Sequence, residues 1–265
     1  MHNADHPLFE TQDLGVEYPA RRGSDAVIGL TGINIQWRRG ETLGLVGGSG
    51  SGKTTLGRTL LGLQQPTAGG VLYRQQPLSR ALATRSFRRE VQMIFQDPYQ
   101  SLNPRRTVGE QVTEALDVHR IGRTGVERTA LAVAAMEQSG LAPADRYWHC
   151  YPHQLSGGQR QRVVIAAALA LGPQALVCDE PVSALDVSVR SQVLQVLDRL
   201  RTDHGISLLF ITHDVGLAWA MCDRLAVLNQ GKLIEYGTTE SVLGNPQEPY
   251  TRALLAAAPQ PPRRN

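Results

Sequence analysis

The stretch Gly47-Gly48-Ser49-Gly50-Ser51-Gly52-Lys53-Thr54-Thr55 decides how this chain is read. It fits the pattern Gly-x-x-x-x-Gly-Lys-[Ser/Thr] of the phosphate-cradling P-loop. Residues 41–46 before it (ETLGLV) read as a buried strand, and residues 53–63 after it as a helix. The motif requires that strand–loop–helix context. Glycines let the backbone turn through dihedrals closed to other residues and approach a ligand closely. N–H groups left unpaired at the helix start face a bound anion, and the helix dipole favours its negative charge. Lys53 can reach the β- and γ-phosphates, and the Thr54 hydroxyl can take a place on Mg²⁺. A flexible Gly/Ser turn would account for the glycines, but not for Lys-Thr after the last of them or for the strand before them.

Strand and helix signals alternate outward from this loop. Residues 8–18 and 27–37 read as two strands, the second with a slip near Gly32 suggesting a bulge, and 19–25 as the polar turn between them. Residues 66–70 read as a turn, 71–73 as a short strand, and 91–95 (VQMIF) as a buried strand running into Gln96-Asp97-Pro98. From 99 to about 152 strand signals vanish, and 107–119 and 124–139 carry helical patterns. A helix opens at Ser156-Gly157-Gly158 and runs to about 171, before Gly172-Pro173. Residues 175–179 and 207–211 read as buried strands, 187–202 as an amphipathic helix, and a further helix begins at Val215. A hairpin turns at Gln230-Gly231, and a short apolar helix lies in the tail from Pro246. This order predicts an α/β fold with a mostly parallel sheet, an antiparallel β portion at the N-terminus and an inserted α-helical subdomain. The ligand is expected at the carboxyl ends of the strands.

Bulk properties remove other classes. The 265 residues, 42% hydrophobic, can bury a sizeable core. A formal charge of +3 without a long Lys/Arg run gives no footprint for nucleic acid. Cys150, Cys178 and Cys222 are odd in number and widely spaced, which argues against a disulfide framework and fits a reducing compartment. His149, Cys150 and His153 stand close in sequence, but a structural linker is expected there rather than a metal site. The first ten residues, MHNADHPLFE, lack the apolar region of a signal peptide, so no leader is expected. The longest apolar run, 163–171, is about half the ~20 residues that cross a bilayer, so any membrane role is expected to come through partners.

Two further stretches carry chemistry. The apolar strand Ala175-Leu176-Val177-Cys178 ends in Asp179-Glu180. By itself this is equally an exposed acidic turn. Beside a P-loop, it places Asp179 at the Mg²⁺ site and lets Glu180 polarise an attacking water. Leu155-Ser156-Gly157-Gly158-Gln159 offers a hydroxyl and free N–H groups at a helix start, a second anion site about a hundred residues from the first.

The LSGGQ pentapeptide resembles the signature of ATP-binding cassette (ABC) ATPases, and the resemblance extends over almost the whole chain. It implies a RecA-like P-loop NTPase core. It also implies a head-to-tail dimer in which one chain's Ser156, Gly157, Gly158 and Gln159 cover the γ-phosphate held by the other's P-loop. Gln96 matches the Q-loop glutamine, which touches the metal or water. Ser183-Ala184-Leu185-Asp186 matches the D-loop, His213 the switch histidine on the γ-phosphate, and Tyr18 the aromatic that stacks on adenine. The implied catalytic set is Glu180, His213 and Gln96, the metal set Thr54, Gln96 and Asp179, and the cofactors ATP and Mg²⁺. The implied division is a core of 1–98 and 160–245, a helical subdomain of 99–159 and a tail of 246–265.

A narrower likeness appears in Phe95-Gln96-Asp97-Pro98-Tyr99-Gln100-Ser101-Leu102-Asn103-Pro104-Arg105, in Cys178 to Ser188, and in the tail Asn245-Pro246-Gln247-Glu248-Pro249-Tyr250-Thr251-Arg252. All three are similar to ATPases of the oligopeptide, dipeptide and nickel importers. The expected function is ATP hydrolysis on the cytoplasmic face of a membrane, driving uptake through separate permeases. The implied partners are a second related ATPase subunit or a second copy, two transmembrane permeases, and indirectly an extracytoplasmic solute-binding protein, with no nucleic acid. Two rival classes fit the sequence less well. A DNA-repair or chromosome ABC ATPase would carry long coiled coils, and no sustained heptads appear. A non-hydrolysing regulatory subunit would have a degenerate site, whereas Lys53, Gln96, Asp179, Glu180 and His213 are all present. The signature helix departs from the usual pattern in reading Ile165-Ala166-Ala167-Ala168, without an expected arginine, and no cysteine follows Cys222, so no iron–sulfur cluster is expected.

Overall fold

A computed structural model describes residues 6–19 and 26–257. The expected polar turn at 19–25 lies almost entirely outside the described residues. The chain divides into two compact units, one made of 1–84 with 207–265 and the other of 85–206.

The first unit opens with strands β1 (Phe9–Tyr18), β2 (Val27–Ile33), β3 (Gln36–Trp37) and β4 (Thr42–Val46), then helix α1 (Lys53–Leu60), strands β5 (Ala68–Tyr73) and β6 (Gln76–Pro77), and helix α2 (Leu78–Leu82). The second unit runs through α3 (Arg85–Glu90), β7 (Val91–Ile94), α4 (Pro98–Ser101), α5 (Val108–His119), α6 (Gly125–Gln138) and α7 (Asp145–Trp148). A 3-10 turn at Pro152–Gln154 leads to α8 (Gly157–Leu169), β8 (Ala175–Asp179) and α9 (Val187–Thr202). The chain then returns to the first unit with β9 (Ser207–Thr212), α10 (Val215–Met221), the hairpin β10 (Arg224–Asn229) and β11 (Lys232–Thr238), and helices α11 (Thr239–Gly244) and α12 (Pro249–Ala257).

In the first unit β4 lies between β10 and β9, parallel to both, and β11 pairs antiparallel with β10. Every residue of β4 and β9 is buried. That matches the apolar runs at 43–46 and 208–211 and explains why they read as core strands. The N-terminal portion is antiparallel, with β1 between β5 and the pair β2 and β3. Phe9 anchors it, stacked on Trp37 at 5.3 Å between ring centroids and tilted against Tyr73 at 4.9 Å.

Residues 27–37 are therefore two short strands rather than one bulged strand. Gly32 adopts φ +59°. Asn34 and Asp13 then exchange two hydrogen bonds of 2.8 Å, through Asp13 N–H to Asn34 Oδ1 and Asn34 Nδ2 to Asp13 Oδ1. These side-chain bonds occupy the break between β2 and β3. Helix α1 stops at Leu60 rather than running to 63. Gly62 is left-handed (φ +66°), and Leu63 N–H donates to the Arg58 carbonyl, closing a C-terminal cap.

The second unit carries the parallel pair β7 and β8 and a set of helices in which α5 and α6 pack on α8 and on each other. Thr107 and Glu110 form a reciprocal capping box on α5. That bond with the Thr107 backbone holds the Glu110 carboxyl below its ordinary pKa. Val108, Val112 and Leu116 line the buried face of α5. The expected helices at 107–119 and 124–139 and the strand–helix sequence that follows them are all found here. The short helices α2, α3, α4, α7 and α11 have too few residues to show a 3.6-residue period, so the sequence pattern does not reveal them.

Candidate functional site

The P-loop leaves β4 at Gly47 and enters α1 at Lys53. Two of its glycines are dictated by space as well as by dihedral. At Gly47 (φ +153°) a Cβ would run into the Leu228 carbonyl, and at Gly52 (φ +103°) it would stand 2.6 Å from the Gly29 carbonyl oxygen. Around Gly50 there is open space. Gly231, at the tip of the β10–β11 hairpin, donates its N–H to the Ser51 carbonyl at 3.0 Å and accepts from Thr31 N–H at 2.7 Å. The hairpin tip thus braces the loop.

Lys53 is buried, and its Nζ donates to the carbonyls of Gly47 (2.9 Å) and Gly48 (2.7 Å) and to Ser51 Oγ (3.3 Å). A desolvated ammonium needs such partners. Its charge already stands inside the arc where a phosphate would enter. A cavity of about 220 Å³ opens beside it, lined by Tyr18, Ile28, Gly29 and residues Gly50 to Thr55. Tyr18 is half-buried, and its hydroxyl and the Thr55 hydroxyl are 3.1 Å apart. Ser49 and Gly50 are exposed at the loop's rim.

His213 is set by strand register. Val46 pairs with Thr212 across β4 and β9, so the next residues, Gly47 and His213, leave adjacent strand ends together. His213 is exposed, and Asp214 after it caps α10 by accepting from Leu217 N–H at 3.1 Å.

The second unit repeats this logic. Ile94 pairs with Cys178 across β7 and β8, so Gln96 and Glu180 both lie two residues past paired positions. Gln96 Nε2 donates to Glu180 Oε2 at 3.1 Å. Glu180 has φ +47°, a left-handed conformation uncommon outside glycine. The next turn holds it there, since Ser183 donates both its N–H (3.2 Å) and its hydroxyl (3.1 Å) to the Glu180 carbonyl. Asp179 is buried at the end of β8.

Ser156 caps α8 in a reciprocal box with Gln159. Ser156 Oγ accepts from Gln159 N–H at 3.3 Å, and Ser156 N–H donates to Gln159 Oε1 at 2.9 Å. Ser156 is exposed, Gly157 half-buried and Gly158 buried. A Cβ on Gly158 would collide with the Val189 side chain on α9. This glycine therefore serves helix packing, a role the sequence reading did not assign. A second residue it missed is Arg190, which holds the 183–186 turn by donating from Nε to the Leu185 carbonyl (2.8 Å) and from Nη2 to the Ser183 carbonyl (3.3 Å). Arg160 is also buried, donating to the Pro152 carbonyl at 2.7 Å, with the Tyr99 ring 4.0 Å away. Nothing in the sequence spacing marked these arginines, because their partners are backbone carbonyls.

The ABC transporter family model matches residues 30–183. YkfD of Bacillus subtilis, named an oligopeptide transport ATP-binding protein, is 44% identical over 96% of this chain and 77% of its own length. The glutathione import ATP-binding protein GsiA of Escherichia coli is 42% identical over 96% of this chain and 41% of its own length. Among solved structures, the dimeric ABC transporter cassette MJ0796 superposes with a TM-score of 0.76 at 28% identity, covering 87% of this chain and 98% of that one. The cbiO1 subunit of the cbiONQ complex from Clostridium perfringens gives 0.78 at 26% identity, over 96% of each chain. With its P-loop, its paired strand-end residues and its capped LSGGQ helix, this chain belongs to the ABC transporter family and is an ATPase subunit of an ABC importer.

Proposed function

We propose that the chain binds MgATP through its P-loop and Tyr18, hydrolyses it within a dimer of ATPase subunits, and so drives uptake of a short peptide through two separate permeases. The relatives' names, oligopeptide and glutathione, favour a peptide over nickel. The dimeric cassette MJ0796 supports pairing with a second ATPase subunit, related or identical. An extracytoplasmic solute-binding protein would deliver the cargo. No helix among the described residues is long and apolar enough to cross a membrane. In this reading the permeases hold the chain at the cytoplasmic face. The division into a core of 1–98 and 160–245, a helical subdomain of 99–159 and a tail from 246 is proposed as functional, with the helical part facing the permease.

Phosphoryl transfer asks the protein mostly for positioning and charge. Lys53 would leave the carbonyls of Gly47 and Gly48 for the β- and γ-phosphates. Tyr18 would stack on adenine, and its hydroxyl bond to Thr55 would tie that platform to α1. Thr54, Gln96 and Asp179 offer oxygen donors only, a hydroxyl, an amide and a carboxylate, which suit a hard cation such as Mg²⁺. When bound, Mg²⁺ neutralises charge on the phosphate oxygens. Glu180 would accept the proton of the attacking water, with Gln96 orienting its carboxylate and His213 meeting the γ-phosphate. Ser156, Gly157, Gly158 and Gln159 would complete the partner's site.

The bond from Gln96 to Glu180 carries this reading, since it joins the Q-loop amide to the candidate base. Glu180→Gln keeps the shape but loses the proton acceptor. It is expected to bind ATP normally and to lose turnover by ~10²–10⁴-fold. Hydrolysis near the wild-type rate in the assembled transporter would overturn the assignment.

A further inference from the structure

The tail motif Asn245-Pro246-Gln247-Glu248-Pro249-Tyr250 has no part in the chemistry above. Yet the Tyr250 hydroxyl accepts the N–H of Gly48 in the P-loop at 3.0 Å. Gly48 is held at its other end too. Its carbonyl accepts Lys53 Nζ at 2.7 Å and Ser51 N–H at 3.3 Å. A Cβ at Gly48 would stand in ordinary contact with the tyrosine oxygen, at 3.4 Å, so the hydroxyl is seated directly against this residue.

Tyr250 is itself firmly placed. It is the second residue of α12, and the approach to that helix is fixed by Glu235 on β11. The Glu235 carboxylate accepts the N–H groups of Gln247 (3.0 Å) and Glu248 (3.4 Å), one on each oxygen. Thr251, the next residue, is buried. A continuous path therefore runs from the hairpin strand β11 through Glu235 and the tail to the outer turn of the P-loop.

We infer that Tyr250 is a positioning residue for nucleotide binding, with Glu235 as its support. Lys53 gives up the Gly48 carbonyl when it turns to the phosphates. Gly48 then keeps only the 3.3 Å bond from Ser51 N–H on its carbonyl and the Tyr250 bond on its N–H at the moment the ligand arrives. The Tyr250 bond persists, because it uses the N–H rather than the carbonyl, and it keeps the arc open in the shape the phosphates need. The cost of ordering the loop is thereby met before binding.

The test is Tyr250→Phe, which deletes one oxygen and keeps the ring. One neutral hydrogen bond corresponds to about a 3- to 10-fold loss of ATP affinity, measured by titration of the full chain with a fluorescent ATP analogue. In the assembled transporter the loss should fall on KM for ATP rather than on kcat. Amide exchange of the peptide spanning 47–55 should speed up without nucleotide. Glu235→Gln, which weakens the support without touching the loop, should shift affinity and exchange in the same direction by a smaller factor. Wild-type affinity and wild-type exchange in Tyr250→Phe would overturn the inference. So would a drop in melting temperature in Tyr250→Phe with no effect of Glu235→Gln on ATP affinity, because the tail would then only pack.

Discussion

Gly158 sits in a motif that resemblance assigns to nucleotide contact, but the structure gives it a packing role whose size can be worked out. A Cβ built there overlaps Val189 Cγ1 and lies 3.5 Å from Val189 Cβ. Ordinary carbon contacts fall at about 3.5–4.0 Å, so only the Cγ1 overlap must be relieved. Val189 is in the first turn of α9, where a valine has one strongly preferred rotamer, and leaving it costs energy. Overpacking of this kind costs about 1–3 kcal/mol. Against that, alanine is better than glycine in a helix interior by about 0.8–1.0 kcal/mol, and by less at Gly158, the second residue of α8. Gly158→Ala in the wild-type background should therefore destabilise by roughly 0–3 kcal/mol. In a Val189→Ala background the overlap is gone, and the same substitution should become neutral or stabilising. The coupling in the double-mutant cycle is the quantity to measure, by denaturant melts of the four proteins, and it should be about 1–3 kcal/mol. Coupling below about 0.5 kcal/mol would mean that the two side chains act independently and the packing argument fails. If the double variant regains stability but not ATP hydrolysis, the glycine also serves the partner's nucleotide.

Two further outcomes follow from single contacts. Tyr18→Phe should keep stacking and lose only the bond to Thr55, so ATP affinity should fall less than in Tyr18→Ala, which should lose ~1–3 kcal/mol; equal losses in a nucleotide titration would remove the stacking role. Cys178 and Cys222 are fully buried while Cys150 is half-buried. Burial, and secondarily the Asp179 charge, push the Cys178 thiol far above its ordinary pKa, so a thiol reagent at neutral pH should label Cys150 alone in the folded chain, and rapid labelling of Cys178 would contradict the placement of β8.

Much of the core was legible before any coordinates. The strands at 42–46, 175–179 and 207–212 are built on short apolar runs, 43–46, 175–178 and 208–211, and such runs specify burial on both faces of a sheet. The helix Val187–Thr202 announces itself through Val193, Val196, Leu197 and Leu200, all buried. The P-loop glycines, Lys53 and Thr54 could be named because backbone geometry and phosphate chemistry restrict those positions to few residue types. The break between β2 and β3 was not legible, since the exchange between Asp13 and Asn34 joins residues 21 apart in sequence. Nor was the length of α1, which ends in a cap that the leucines around Gly62 conceal.

Local information in the sequence was enough to place the candidate groups on strand ends and helix starts, because those elements depend on residue type and on periodicity over a few positions. The partnerships were decided by tertiary structure alone. Parallel register sets Gln96 on Glu180 and brings His213 beside Gly47 at neighbouring strand ends. A clash with Val189 makes Gly158 a packing residue, and a hydroxyl some 200 positions away holds Gly48. These contacts are made between segments far apart along the chain, so no short window of sequence contains both halves. They exist only once the strands have paired and the helices have docked.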